Sequence, residues 1–358
     1  VADSEPLRFD YATHAVRVVF GAGSLVGLPE SLANLGLPRV VLITTPGRTR
    51  DVPALLSLLG KQLVEVFSSA APQVPVDIVR DAVAVVDRIQ PDGCVSLGGG
   101  SAIGLGKAIA RATGLPLAAV PTTYSGSEMT AIWGITEGSE KQTGRDPRVA
   151  PRLVLYDPDL TLDLPPDVSA ASGMNAIAHC VEAMYAPDAS PVSSLLAEDG
   201  LRRLAASLPQ VVRSPRDLVA RGEALAGAHL AGRVLDVTAM GLHHKLCHVL
   251  GGSFGLPHAG THAALLPYVV AFNTPAAPAA LGRVAEVLGA ADAAVGLREL
   301  GRRMGTPTLA ELGFNAADVP RAAEMAVAGS YPNPRRVTEA EVRDVLQRAL
   351  ADDVATID

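Results

Sequence analysis

Eight histidines occur in the chain, and five of them crowd between Gly241 and His262, in GLHHKLCHVLGGSFGLPHAGTH. His244 and His248 stand four residues apart, which puts both on one face of a helix. His243 is the neighbour of the first. His258 lies beyond a glycine-rich break, where the chain can fold back on the helix. A separate helical stretch, SGMNAIAHCVEAMY, carries Asn175 and His179 at the same spacing. A single helical histidine is usually just packed and hydrogen-bonded. Two spaced pairs and a loop histidine in one region read better as an active site. The spacing would suit a divalent metal held by imidazoles. Asn175 resists that reading, because it offers a neutral amide where a hard cation would take a carboxylate.

A second constellation is built from small and hydroxyl residues. Gly98, Gly99, Gly100 and Ser101 stand between an expected strand, Cys94–Leu97, and an expected helix, Ala102–Ala112. Glycine lets backbone approach an oxyanion closely. A helix N-terminus adds free N–H groups and the positive end of a dipole. Ser101 could cap the helix or donate to the same phosphate. After the next strand comes Pro121-Thr122-Thr123-Tyr124-Ser125-Gly126-Ser127-Glu128. So many donors at a buried strand end favour a polar ligand over a turn network alone. Thr122, Thr123, Ser125 and Ser127 join the glycines as expected contacts of a nucleotide cofactor, with Thr44 at another strand end. No acid follows Thr44-Thr45 directly to select a ribose hydroxyl over a 2′-phosphate, so NADH and NADPH both stay open.

These residues need a scaffold, and the rest of the sequence describes one. Short β-rich runs alternate with helical segments over the first 160 residues: Arg17–Phe20, Arg39–Thr44, Leu63–Phe67, Cys94–Leu97, Leu117–Val120 and Leu153–Tyr156. Continuous apolar runs between helices are the mark of a parallel sheet covered on both faces. The expected fold is an α/β domain over 1–160, Rossmann-like but without the GxGxxG fingerprint. An all-helical domain over 161–358 follows it, with the boundary near Asp157–Thr161. The charge is 30 − 37 = −7, with no basic cluster that would neutralise phosphates of a nucleic acid. Three distant cysteines, Cys94, Cys180 and Cys247, make neither a disulfide framework nor a zinc site. No apolar run reaches the ~18 residues of a membrane span, and no signal peptide opens the chain. A cytoplasmic protein with no membrane and no nucleic-acid partner is the expectation.

The motifs resemble the iron-containing alcohol dehydrogenase superfamily, related in fold to dehydroquinate synthase and glycerol dehydrogenase. The resemblance rests on GGGS at 98–101, PTTYSGSE at 121–128, SGMNAIAHCVEAMY, and HHKLCHVLGG with LPHAGTHAALLPYVVAFN at 243–273. Within the superfamily, residues 121–161 look most like the maleylacetate reductases. The resemblance implies a cofactor domain, a helical domain, a cleft between them and a homodimer. It also implies reduction of the carbon–carbon double bond of maleylacetate to 3-oxoadipate by NADH or NADPH, in bacterial breakdown of aromatic compounds. The superfamily's metal set, one Asp and three His, maps onto Asn175, His179, His244 and His258. The glycine turn usually continues with an Asp where Gly104 stands here. Both departures resemble the maleylacetate reductases, several of which work without a metal. No metal is therefore expected; were one bound, His179, His244 and His258 would hold it.

Maleylacetate is a dicarboxylate with an alkene conjugated to a ketone. Hydride addition moves charge onto the ketone oxygen, where an imidazole can donate a hydrogen bond. Cationic or donor groups should bind its carboxylates: His243, His244, His248 and Lys245, with Arg145 or Arg148. A metal-dependent alcohol or polyol dehydrogenase of the same fold is the alternative. A dehydroquinate synthase-like lyase would want more metal ligands and more phosphate-binding Lys and Arg. A non-catalytic NAD-binding protein would not need so many convergent imidazoles.

Overall fold

The computed structural model describes residues 8–138 and 140–354. Its first half alternates strands and helices: β1 (Arg17–Phe20), α1 (Leu28–Asn34), β2 (Val40–Ile43), α2 (Val52–Leu59), β3 (Leu63–Phe67), α3 (Val76–Ile89), β4 (Gly93–Gly98), α4 (Gly100–Thr113) and β5 (Leu117–Pro121). A hairpin follows, β6 (Ile132–Glu137) and β7 (Glu140–Arg145), and then β8 (Leu153–Tyr156). Six strands form one parallel sheet in the order β1-β8-β5-β4-β2-β3. The expected strands are all there. β2, β4, β5 and β8 are buried along their whole length, which is why they read as unbroken apolar runs. The chain leaves β2 for one side of the sheet and β4 for the other. Ligands bind open α/β sheets at the C-terminal strand ends near such a reversal.

The antiparallel hairpin β6–β7 forms a separate two-stranded sheet, bridged to the chain before α3 at Thr136, and is absent from the sequence-based expectation. Its strand β6 is half-buried and β7 reads EKQTGR, so neither shows the apolar run of a core strand.

Beyond β8 every described regular element is helical: α5 (Pro166–Tyr185), α6 (Pro191–Arg213), α7 (Leu218–Val237), α8 (Leu242–Ser253), α9 (His258–Asn273), α10 (Pro278–Leu288), α11 (Ala293–Met304), α12 (Val319–Val327) and α13 (Glu339–Ala351). No helix among the described residues is long and apolar enough to cross a membrane. Helix α5 is buried along nearly its whole length. It approaches α6 and α7 through small residues. A Cβ at Gly200 would come within 2.9 Å of Cys180 Sγ, and one at Gly227 within 2.7 Å of Leu204. A side chain at Gly200 would push α6 away from α5, and one at Gly227 would push α7 away from α6.

The two halves are stitched together along one seam. Arg221, fully buried on α7, donates to Tyr124 Oη (3.1 Å), Ser169 Oγ (2.8 Å), Leu164 O (3.0 Å) and Pro215 O (2.9 Å). Asp236 accepts from Ala131 N at 2.9 Å. Gly126 and Gly232 touch backbone to backbone, since a Cβ at Gly232 would sit 2.5 Å from Gly126 O.

Candidate active site

The glycine turn sits at the C-terminal end of β4. Gly98 has φ +148°, a region side chains rarely adopt, and Gly99 is the N-cap of α4. No side chain caps this helix and no acid occupies its first turn. Ser101 lies inside the first turn and does not cap, which corrects one of its two expected roles. The free N–H groups and dipole end stay open to an anion. A Cβ at Gly99 would collide with the Thr123 side chain at 2.8 Å, whereas one at Gly100 meets nothing within 4 Å. Gly100→Val is thus the clean probe of the cradle. It should raise the Michaelis constant for NADH by roughly tenfold or more with the fold intact. An unchanged constant would leave the turn a structural one.

The neighbouring turn is held from below. Lys107, fully buried on α4, donates to Ser127 O (2.6 Å), Thr130 Oγ1 (2.8 Å) and Ile132 O (2.8 Å). Burial lowers its pKa to about 7. Thr122 N donates to Gly98 O at 3.1 Å, joining the two turns. Glu128 is buried, bonded to Tyr156 Oη (2.9 Å) and Ser125 Oγ (3.4 Å), and burial pushes its carboxyl up. Thr44 is fully buried and its hydroxyl donates to Leu97 O at 2.9 Å, so it ties β2 to β4 beneath the turn.

Asn175, His179 and Glu182 recur along one face of α5. His179 reaches the polar turn: a Cβ on Gly126 would lie 3.4 Å from its Nδ1. Opposite stand the imidazoles of α8 and α9. The ring of His244 stacks on that of His179 at 5.1 Å. His262 is the hub, with ring centroids 4.8 Å from His243 and from His244, 4.6 Å from His258 and 6.3 Å from His179. His248 lies 6.4 Å from His244 and 6.3 Å from His258. The six rings run from a buried floor, His243 and His262, through His179 and His244, to an exposed rim of His248 and His258.

The structure therefore brings together every residue of the expected histidine set and adds His262 and Glu182. His262 belonged to the noted crowd, and its spacing of four from His258 was the signal for it. His258 was expected in a loop; it is the first residue of α9, set by Pro257. Glu182 gave no sequence signal, because its partners on α8 are about sixty residues away. Its carboxylate accepts from Gly241 N (3.2 Å), His243 N (3.1 Å) and His244 Nδ1. Burial acts to raise it, but the attraction and hydrogen bond of His244 outweigh burial and hold it below the usual range.

Burial lowers the basicity of the other rings. His243 falls to about 3, and His179 and His262 well below the ordinary value; at the rim, the surrounding protein and the nearby Lys141 and His244 lower His248 and His258 as well. These imidazoles are neutral donors and acceptors near neutral pH, which leaves the donor half of the expectation of cationic or donor groups. Two further candidates fall away. Arg145 Nη1 is committed to Asp236 O (2.7 Å) and Oδ1 (2.8 Å), and Arg148 grips Asp146 on the surface. Lys245 is half-exposed on α8. Lys141 of β7, absent from the first list, carries a charge that bears on both rim histidines.

The model of the iron-containing alcohol dehydrogenases matches residues 15–158, and that of the C-terminal part of the same family matches residues 169–350. The chain belongs to the iron-containing alcohol dehydrogenase family. A maleylacetate reductase of Burkholderia cepacia is 46% identical over 342 residues, covering 95% of this chain and 97% of that protein. The crystal structure of a maleylacetate reductase from Agrobacterium tumefaciens superposes with TM-score 0.93 at 46% identity, covering 97% and 99% of the two chains. An iron-containing alcohol dehydrogenase from Corynebacterium glutamicum superposes with TM-score 0.91 at 39% identity, covering 97% and 98%.

The family's name implies iron, and the donor set here suits it poorly. Position 175 supplies an amide, and Glu182, the carboxylate beside the cluster, is spent on His244 and two backbone N–H groups. The atoms Asn175 Oδ1, His179 Nδ1, His244 Nε2 and His262 Nε2 are buried without hydrogen-bond partners among the described residues. Among those residues, only His243, Cys247 and His262 bring ligand atoms within 4.8 Å of one another. In that trio His243 Nε2 is bonded to His262 Nδ1 at 3.0 Å and sits 3.7 Å from Cys247 Sγ. That trio is bonded to itself and is not the set that the family's metal ligands map onto.

Proposed function

We propose that the protein is a cytoplasmic, NAD(P)H-dependent maleylacetate reductase with a cofactor domain over 1–160 and a helical domain over 161–358. The carrying observation is near full-length identity of 42–48% to eight curated proteins of that name. The alcohol-dehydrogenase alternative of the same family would want a carboxylate at position 175.

Bound NAD(P)H supplies the hydride. Gly98–Gly100 and the N-terminus of α4 would cradle its pyrophosphate, with Thr122, Thr123, Ser125 and Ser127 around it. The turn and the histidine floor meet where Gly126 abuts His179, so the reacting carbon would lie between them. Addition to the alkene carbon β to the ketone turns the ketone oxygen into an enolate. The neighbouring carbon then takes a proton. His244, with Nδ1 engaged by Glu182, turns Nε2 to these atoms. Asn175 and His179 line the same floor. His248 and His258 at the rim offer hydrogen bonds to a substrate carboxylate, and Lys141 adds positive charge beside them. Charge spread over an enolate needs a Lewis acid less than a localised alkoxide does.

The test is oxidation of NADH and of NADPH by maleylacetate. Activity should survive dialysis against EDTA, with iron and zinc well below one per chain. Loss on chelation with recovery on adding Fe²⁺ or Zn²⁺ would instead make His179, His244 and His258 ligands.

The reading includes a homodimer. β1 lies at the edge of the sheet, and its Val18 and Phe20 are 37% and 44% exposed. An exposed apolar edge strand invites a second chain. Light scattering should give twice the chain mass, and Phe20→Lys should shift it toward the monomer. A wild-type monomer would refute the pairing.

A further inference from the structure

Glu182 sits one turn beyond His179 on α5, with a relative exposure of 1%. A buried carboxylate is costly unless it is paired and hydrogen-bonded. Here three N–H groups converge on it. Oε1 accepts from Gly241 N and His243 N, at the N-terminal end of α8, where the helix dipole favours negative charge. Oε2 accepts from His244 Nδ1. The approach is close enough that a Cβ on Gly241 would lie 3.1 Å from Oε1. The other ring nitrogen, His244 Nε2, is buried without a partner among the described residues and stands beside His179.

We propose that Glu182 is a positioning residue that decides which nitrogen of His244 works on the substrate. The inference rests on the reductase reading of the cleft. A carboxylate can only accept, so it keeps a hydrogen on Nδ1 and holds the ring plane still. All proton exchange with the cleft is thereby confined to Nε2. In the forward direction Nε2 first takes a proton from solvent, and the resulting imidazolium gives that proton to the substrate carbon or to the enolate oxygen, returning to the neutral ring. The hydrogen on Nδ1 stays throughout, so the ring never has to become an imidazolate.

Glu182→Gln separates this role from simple anchoring. The amide oxygen in place of Oε1 still accepts from Gly241 N and His243 N. The NH₂ in place of Oε2 must donate, which forces a neutral His244 to carry its only hydrogen on Nε2. That ring cannot give up its only hydrogen without becoming an imidazolate, and protonating Nδ1 instead would set an N–H against the amide NH₂. Turnover with maleylacetate should fall by about 10²-fold or more, as when a catalytic imidazole is held in the wrong tautomer. The Michaelis constant for NADH should stay within about twofold. Nitrogen-15 spectra of labelled histidine, assigned by the signal lost in His244→Ala, should show the hydrogen move from Nδ1 to Nε2. Glu182→Asp keeps a carboxylate and should retain the wild-type tautomer and more turnover than the glutamine variant.

Three results would overturn the proposal: full turnover in Glu182→Gln, a wild-type His244 whose Nδ1 carries no hydrogen, or lost turnover with the tautomer unmoved. If the wild type fails to reduce maleylacetate, the proposed function falls, and the nitrogen spectra of the same two variants still decide the role of Glu182. Should the glutamine variant not fold, the tautomer and turnover of the aspartate variant decide, and loss of the Nδ1 hydrogen with carboxylate present would refute the role.

Discussion

Replacing His244 by alanine lowers turnover by about 10²-fold or more, the range typical of losing one donor to a developing oxyanion. NADH affinity should stay near wild type, because the proposed cofactor cradle is on α4 and the β5 turn while His244 is on α8. The size of the effect follows from the setting. His244 is buried, so its bonds to substrate compete with little water, and hydrogen bonds strengthen in a desolvated site. His179 lies beside it but has no carboxylate to orient its ring. His243 and His262 are bonded to each other, and His248 and His258 sit at the rim. His14 and His229 serve as comparisons outside the cluster. His14 Nδ1 is 2.9 Å from Asp236, and His229 packs edge-on against Tyr156 at 5.4 Å between centroids. Their alanine variants should keep turnover, and His14→Ala should melt earlier because Asp236 loses a partner. Full turnover in His244→Ala, or equal losses in the two comparison variants, would sink the idea.

Acid should unfold this protein at a pH most enzymes tolerate. In the unfolded chain an imidazole titrates near its ordinary value of about 6.5. In the folded chain burial lowers His243 to about 3, and lowers His179 and His262 well below the ordinary value. For a base with a depressed folded pKa, stability is complete above the unfolded value. It is lost as pH falls below that value, since the unfolded state then binds more protons. At pH 5 His243 alone costs about 2 kcal/mol, from roughly 1.5 pH units at 1.36 kcal/mol each. His179 and His262 add to it in the same direction. Against a typical total of 5–15 kcal/mol, roughly, this is a large share. The melting temperature should drop steeply between pH 7 and pH 5. A flat profile across that range would show that the rings titrate normally and that the cluster is wetter than its geometry.

The sheet and the helical half were legible in the sequence because burial on both faces leaves no polar alternation in β2, β4, β5 and β8. The hairpin β6–β7 was not, because it has no buried apolar face to advertise. Asn175, His179, His244 and His248 were legible from spacing on helices, and His258 from its place beyond a glycine-rich break. Their partners were not. Glu182 meets His244 across 62 residues and Arg145 meets Asp236 across 91, and local pattern carries no trace of such pairings. The chemical state of the rings was illegible for the same reason. Type and spacing mark a histidine as available, but only its surroundings make it neutral.

The glycines between α5, α6 and α7 bear on how such an enzyme can change over time. Cys180, next in sequence to His179, has its sulfur against Gly200, so bulk introduced at Gly200 is transmitted to the histidine floor. A substitution there is costly in stability and in turnover at once. The rim has no such constraint, since His248 and His258 are exposed and the hairpin beside them packs against no sheet strand. Diversification toward new substrates then has one open direction. Libraries randomised at the rim and in β7 should yield altered preference at little loss of folding, and libraries randomised at Gly200 or Gly227 should return mostly dead clones.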